Sequence, residues 1–471
     1  MAPLGPTHHD VLLPDGTVQR YILRGLSESS SYGGVNNEGI VGVGDAEIMV
    51  LDDDDDDDVK VEEGGYDDGH DILSWARMCA LSFAYKPNPP PMSYFLGHYL
   101  NDPRRDASLV RVMTTTTKTT TTTTTTTMAS SVRIFRRTLS CGSYGDSSLR
   151  FEAGGIGEVC THPSHRGRGL SSLLMRDALD VMRTLTPNVT CSFLHASADF
   201  RRYYGRIGGY AGVTSEWSVV NVMLRRLLRH AVPFVMGRGG DENVNGNDND
   251  VRAHDNSPRN VAARRAEFPR DAPELRRLHA EYSEERFVTI VRSLKYWEEY
   301  VSAELGDTLW VLFEVDGIMR TREVDGTVKT SDIVAWLSVR ERGDGRYQLR
   351  EFGTDRGRIT TTSALNNLLG AALLDRTEIA DMDDVREMVS LSLPSIVLRE
   401  MKEETKNVDD EANRFSSSSS SSSSPSFVIV DNAKEENDDG WMYVVLDESY
   451  TCPNVGGVVL VGLTDYSVSR V

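Results

Sequence analysis

The sequence predicts an α/β (α+β) chain. A mixed central sheet flanked by helices is built twice in tandem and interrupted by low-complexity insertions. Three observations point there. A strand-like segment runs into a glycine loop and an amphipathic helix over residues 158–185. The order strand, two helices, two strands, then a strand, loop and helix can be read before residue 225 and again after residue 259. Homopolymer runs, Asp52–Asp58, Thr119–Thr127 and Ser416–Ser424, fall between the periodic segments and read as loop expansions.

In order, Val18–Arg24 alternates as a first strand. A low-complexity insertion at about 28–70 follows, whose Asp run repels itself and buries nothing. Asp71–Phe83 reads as a helix with Asp71 as its cap, and Met92–Leu100 as a second helix closed by Pro103. Leu109–Met113 and Val132–Arg136 are strands, separated by an insertion expected to be disordered at about 114–130. Val189–His195 is a buried strand, and Thr214–Val222 is expected to close an N-terminal domain of residues 1–225.

Residues 237–258 read as a linker. Within it, Asp241, Asn243, Asn245 and Gly246 copy the front of a calcium loop, but Arg252 stands where a bidentate Glu is needed, so no metal is expected. The second domain, 259–471, offers strands at Arg264–Phe268, Leu309–Glu314, Ile333–Arg340 and Tyr347–Phe352. Helices are expected at Pro273–Glu285, Ser293–Glu304 and Ala364–Leu374, and Met388–Val397 runs from strand into helix. A Ser-rich insertion at about 405–426 precedes Phe427–Val430 and Trp441–Leu446, read as its closing strands.

Net charge is −20 over 471 residues, seven of the negative charges coming from the Asp run. That balance argues against non-specific nucleic-acid binding and is compatible with a cationic substrate. Five scattered cysteines without Cys-x-x-Cys spacing read as reduced thiols. No stretch approaches the roughly 20 apolar residues of a membrane span, so a cytoplasmic protein with no membrane partner is expected. Self-association is left open.

The segment Val159-Cys160-Thr161-His162-Pro163-Ser164-His165-Arg166-Gly167-Arg168-Gly169-Leu170-Ser171 carries the chemistry. A helix start offers unpaired N–H groups and the positive end of its dipole. Gly167 and Gly169 let a phosphate approach the backbone, and Arg166 and Arg168 add charge and fork-shaped donors. The segment resembles motif A of the GCN5-related N-acetyltransferase (GNAT) superfamily, with Ser171 where Gly or Ala is usual. Phe200-Arg201-Arg202-Tyr203-Tyr204-Gly205-Arg206-Ile207-Gly208-Gly209-Tyr210 resembles that family's following helix, and its Tyr204-Gly205-Arg206-Ile207-Gly208 with the tandem order is similar to the Eis-like N-acetyltransferases. Eis proteins add a sterol-carrier-like third domain, for which too few residues are expected after the second unit.

The resemblance implies an acetyl-CoA-dependent enzyme that acetylates a primary amine, a polyamine-like molecule or a protein lysine, by direct attack. It implies that Val159, Cys160 and Thr161 line pantetheine, that Arg166, Gly167, Arg168, Gly169, Leu170 and Ser171 hold the pyrophosphate, and that Tyr204 is the general acid. The alternative is a CoA-binding scaffold that no longer catalyses. The base stays open among Glu158, expected to face solvent, His195, expected to be a core residue, and Glu216. The second unit lacks Gly-x-Gly before its helix and is expected to be degenerate.

Overall fold

The computed structural model describes residues 6–26, 71–118, 124–143, 146–223, 227, 261–284, 288–314, 333–342, 346–375, 388–415, 433–435 and 438–447. The 28–70 insertion, the 237–258 linker, the Ser416–Ser424 run and Phe427–Val430 lie outside the described residues.

A hairpin of β1 (Thr7–Leu12) and β2 (Val18–Gly25) opens the chain, followed by α1 (Asp71–Phe83) and α2 (Met92–Leu100). Asp71 begins α1 at the positive end of its dipole and takes a forked pair of hydrogen bonds from Arg24 at 2.7 and 3.1 Å. Next come β3 (Val110–Lys118), β4 (Thr124–Ser143) and β5 (Asp146–Thr161), paired antiparallel. The long amphipathic helix α3 (Leu170–Thr184) then crosses to β6 (Cys191–His195), which pairs parallel with β5. α3 buries Leu170, Leu174, Ala178 and Met182, one residue per turn along one stripe. It lies so close to the sheet that a Cβ at Gly154 would run into the Met182 sulfur. α4 (Ala198–Gly208) leads to β7 (Ala211–Ser215) and β8 (Trp217–Met223).

The Thr tract is a correction. Thr114–Thr117 pair with Thr125–Met128 as the extended end of the β3–β4 hairpin, so the expected disorder at 114–130 is replaced by strand on both sides of residues 119–123. β-branched threonines suit a pleated ladder, which a reading of homopolymers as loops overlooks.

The second half holds β9 (Val261–Arg265), α5 (Ala272–His279), β10 (Val288–Ile290) and a π-turn running into α6 (Ser302–Leu305). β11 (Leu309–Glu314), β12 (Ile333–Glu341) and β13 (Tyr347–Thr354) follow. α7 (Thr361–Leu374) crosses to β14 (Met388–Pro394), again parallel to its predecessor. α8 (Ser395–Phe415) is helix where the Ser-rich insertion was expected to begin at 405. Short β15 (Lys434–Glu435) and β16 (Asp438–Val445) end the described chain.

The two sheets do not divide at the expected boundary. β8 pairs with β14 in the second sheet, although its residues were assigned to the first unit. β16, expected to close the second unit, sits between β6 and β7 in the first. β10 also reaches across to β4. Alternation of apolar residues identifies a strand but not its neighbour, because partner choice is made by distant contacts. A single buried cluster accordingly joins Phe135, Ala153 and Phe193 of the first half to Leu275, Trp297 and Trp336 of the second.

Candidate active site

β6 pairs with β5 only from Ala153 to Ile156. Beyond that, β5 runs on to Thr161 bonded to β4 alone among the described residues, so the two parallel strands part. At the parting the register slips between Gly157 and Cys160, and Glu158 adopts a left-handed φ of 53°. Val159, Cys160 and Thr161 therefore form one wall of a wedge-shaped opening. The Cys160 side chain is buried, and its carbonyl accepts a hydrogen bond from the Ser130 hydroxyl at 2.7 Å.

The loop after β5 turns at His162–His165 and enters α3 through Gly167 and Gly169, with φ of 76° and 73°. A Cβ at either glycine would meet no atom within 4 Å. Gly169 is the N-cap and has no side chain to satisfy the first N–H groups of α3. An open set of backbone donors at the positive end of a 15-residue helix has the shape and charge that suit a diphosphate. Leu170 is core, and Ser171 accepts a hydrogen bond from Tyr203 at 2.8 Å, tying α3 to α4.

The two arginines do more than add charge. Arg166 donates to the carbonyls of Ser82 at 3.0 Å and Thr161 at 3.4 Å, clipping the loop to α1 and β5. Arg168 turns inward, donating to Gln19, to the Tyr21 hydroxyl at 2.6 Å and to the Ser164 carbonyl at 2.9 Å. The Arg168 fork expected to meet phosphate is largely spent on the loop's own shape. Tyr21 also meets the buried His165 at 3.0 Å, and burial with the Arg168 charge pulls that imidazole down to about 4. Gln19 and Tyr21 escaped sequence reasoning because β2 is distant in the chain and reads only as alternation.

Tyr204, on α4, packs partly buried on the core beneath α3, with the rings of Tyr203 and Tyr210 edge-on to it. Burial first, then the neighbouring Tyr203 and Tyr85, push its phenol above the ordinary range, so it keeps its proton at neutral pH.

The base candidates separate. Glu216 lies at the start of β8 and pairs with Arg399 at 3.4 Å, against the second sheet. His195 ends β6 with its ring against Trp441 of β16. Glu158 does not face solvent; it is buried, with Oε1 3.6 Å from both His98 Nδ1 and Arg133 Nη1. Positive φ at the register slip turns its side chain inward toward α2. His98 Nε2 lies 3.1 Å from Glu304 of the second half, so one imidazole stands between two carboxylates. Burial lowers its affinity for a proton, but the two carboxylates outweigh burial and raise its pKa to about 9.

Residues 70–212 match the family model described as an acetyltransferase (GNAT) domain. Residues 70–212 are thus similar to a GNAT domain, and the mixed sheets flanked by helices are the expected fold class. No curated protein matches it. A GCN5-related N-acetyltransferase from Kribbella flavida aligns at 16% identity and a TM-score of 0.43, covering 79% of this chain and 68% of that one. A protein from Enterococcus faecalis described as a probable N-acyltransferase aligns at 12% and 0.43, covering 81% and 71%. Eis1 from Mycobacterium abscessus aligns at 12% and 0.38, covering 79% and 70%. These likenesses are too distant to assign anything to this chain. Among the described residues no helix is long and apolar enough to cross a membrane, and no cluster of three His, Cys, Asp or Glu is set to hold a metal.

Proposed function

We propose that the chain is a cytoplasmic, Eis-like N-acetyltransferase that transfers acetyl from acetyl-CoA to a primary amine in a ternary complex. The observation that carries the reading is the open Gly167–Gly169 cradle at the head of α3, beside strands that part. The backbone of Val159–Thr161 would hold pantetheine, and the start of α3 the diphosphate. Acetyl-CoA supplies an activated thioester.

An amine with a pKa near 10.4 must lose its proton before attack, and the thiolate must gain one as it leaves. Tyr204 stays protonated and serves as the acid. Its half-buried ring on α4, packed against the core that α3 covers, supports that role. The acceptor is a polyamine-like molecule or a protein lysine, favoured by the net charge of −20.

Calorimetry with acetyl-CoA, followed by single-turnover assays against polyamines, aminoglycosides and lysine peptides, tests the reading. Tyr204→Phe keeps the ring and removes the phenolic proton. The single-turnover rate should fall by about 10²–10⁴-fold with acetyl-CoA affinity unchanged. A wild-type rate would make Tyr204 a packing residue. Binding without turnover on any acceptor would favour a CoA-binding scaffold.

A further inference from the structure

Cys79 of α1 and Cys160 of β5 place their sulfurs 3.6 Å apart, although 81 residues separate them in sequence. Both side chains are buried. Ser131 of β4 touches both, its Oγ 3.8 Å from the Cys79 sulfur and 3.4 Å from that of Cys160. The Met78 thioether lies 3.5 Å from Cys160. Neither thiol has a part in the acetyl-transfer chemistry, yet Cys160 stands between Val159 and Thr161, on the wall where the strands part.

We propose that Cys79 and Cys160 are an oxidation site, forming a reversible disulfide that ties α1 to β5 and weakens acetyl-CoA binding. The second half of this statement rests on the reading under Proposed function; the first does not. A disulfide needs a sulfur–sulfur distance of about 2.05 Å, so the pair must close by roughly 1.5 Å. α1 is a surface helix with Arg77 and Leu81 exposed, so opening one helix admits a small oxidant and lets the sulfurs close.

The chemistry balances with a peroxide as oxidant. The Cys160 thiolate attacks one oxygen of hydrogen peroxide and breaks the O–O bond, and the hydroxide released takes up a proton as water. Cys160 becomes a sulfenic acid. The Cys79 sulfur then attacks the sulfenic sulfur, forming the S–S bond, and the sulfenic oxygen leaves as a second water carrying the Cys79 proton. Two thiols lose two electrons and the peroxide gains them. The roles follow the surroundings. Burial raises the Cys160 thiol, but hydrogen bonds with Cys79, Ser131 and Ser82 outweigh it and hold the thiol below its ordinary range. Burial, then the contact with Cys160, pushes Cys79 well above.

Closing the pair draws the Cys160 peptide toward α1 and displaces the backbone of Val159 and Thr161. A shift of about 1 Å in a positioned group can cost on the order of 100-fold in function, so a loss of at least tenfold in acetyl-CoA affinity is expected.

The full chain, reduced and then treated with submillimolar hydrogen peroxide, should give a cross-linked Cys79–Cys160 peptide in a non-reducing digest read by mass spectrometry. Acetyl-CoA affinity, read by calorimetry, should fall at least tenfold and return with dithiothreitol. Cys79→Ala should bind acetyl-CoA like the wild type and keep that affinity under peroxide; Cys191→Ala should behave as the wild type throughout. Circular dichroism checks that the treated protein is folded. Absence of the cross-link in folded wild type, or sulfinic acid at Cys160 in its place, overturns the proposal, and that readout needs no variant to fold. A cross-link with unchanged affinity overturns its effect on binding. Reduced wild type that fails to bind acetyl-CoA breaks the functional reading, while the peptide map still judges the disulfide.

Discussion

α3 and α7 each follow a strand that parts from its parallel neighbour, and each begins, as any helix does, with backbone N–H groups that lack an i−4 carbonyl within the helix. They satisfy those groups differently. At α3 the N-cap is Gly169, without a side chain, and open space lies over it. At α7 the N-cap is Thr360, whose hydroxyl accepts from Ser363 N at 3.2 Å. The Glu404 carboxylate of α8 accepts from Thr361 N and Thr362 N, both at 2.9 Å. Glu400 adds hydrogen bonds from the Tyr282 and Thr361 hydroxyls. The second helix start is thus closed by an anion from its own chain, where the first is open to one from outside. Missing glycines are only half of why the second unit is expected to bind no CoA; a carboxylate stands in the phosphate's place.

The sharpest way to break the comparison is to break the exchange of strands beneath it. Met442, in the middle of β16, pairs with Leu194 and Gly212 on its two sides. Met442→Pro removes a ladder donor from a central strand, at about 3 kcal/mol or more, a large part of a typical domain's stability. Acetyl-CoA binding should vanish and the melting transition collapse, although the substitution lies far from motif A in sequence. Unchanged melting would show that the first sheet does not depend on β16.

Gly169→Trp places bulk over the open helix start and should weaken acetyl-CoA by about 10³-fold, ~4 kcal/mol, with the fold kept. The paired substitution Thr360→Trp at α7 should leave affinity unchanged. Equal loss from both, by calorimetry, would mean that the second start also serves a ligand.

His98 sharpens how the halves are held. Its pKa of about 9 when folded exceeds the unfolded value near 6.5, so the folded state holds the proton more tightly. Its contribution is whole below pH 6.5 and is lost as pH rises through 9, at most about 3 kcal/mol. Denaturant titrations at pH 6 and pH 10 should show this loss in the wild type and not in His98→Gln; equal loss in both would remove His98 as the cause.

The smallest effect is expected at Glu404. Glu404→Ala strips two N–H groups of their acceptor and should cost about 1–2 kcal/mol, part of it restored by inorganic phosphate in the same place. Thermal melts with and without phosphate decide this, and no destabilisation would mean that the carboxylate is a bystander.

Local patterns were legible. α1 and α2 span the residues expected of them, and the amphipathic stripe of Leu170–Met182 places α3, because helix periodicity and proline stops are written in neighbouring residues. The glycine loop was legible too, since only its backbone had to be open. The inward turn of Arg168 was not, because Gln19 and Tyr21 that hold it are about 150 residues away, and neither was the buried Glu158, which needed α2 and the second half to enclose it.

By itself, then, the sequence determined α1, α2, α3 and the glycine loop between β5 and α3, but not β1, β10, the pairing of the Thr tract or the length of α8. Tertiary structure alone decided that β8 and β16 change places, that Glu404 closes the second helix start, and that Cys79 meets Cys160. The physical reason is range. Strand and helix character comes from residues a few places apart, whereas the partner of a strand edge, a helix start or a buried thiol is chosen by whichever distant segment best fills the space and satisfies its polar groups.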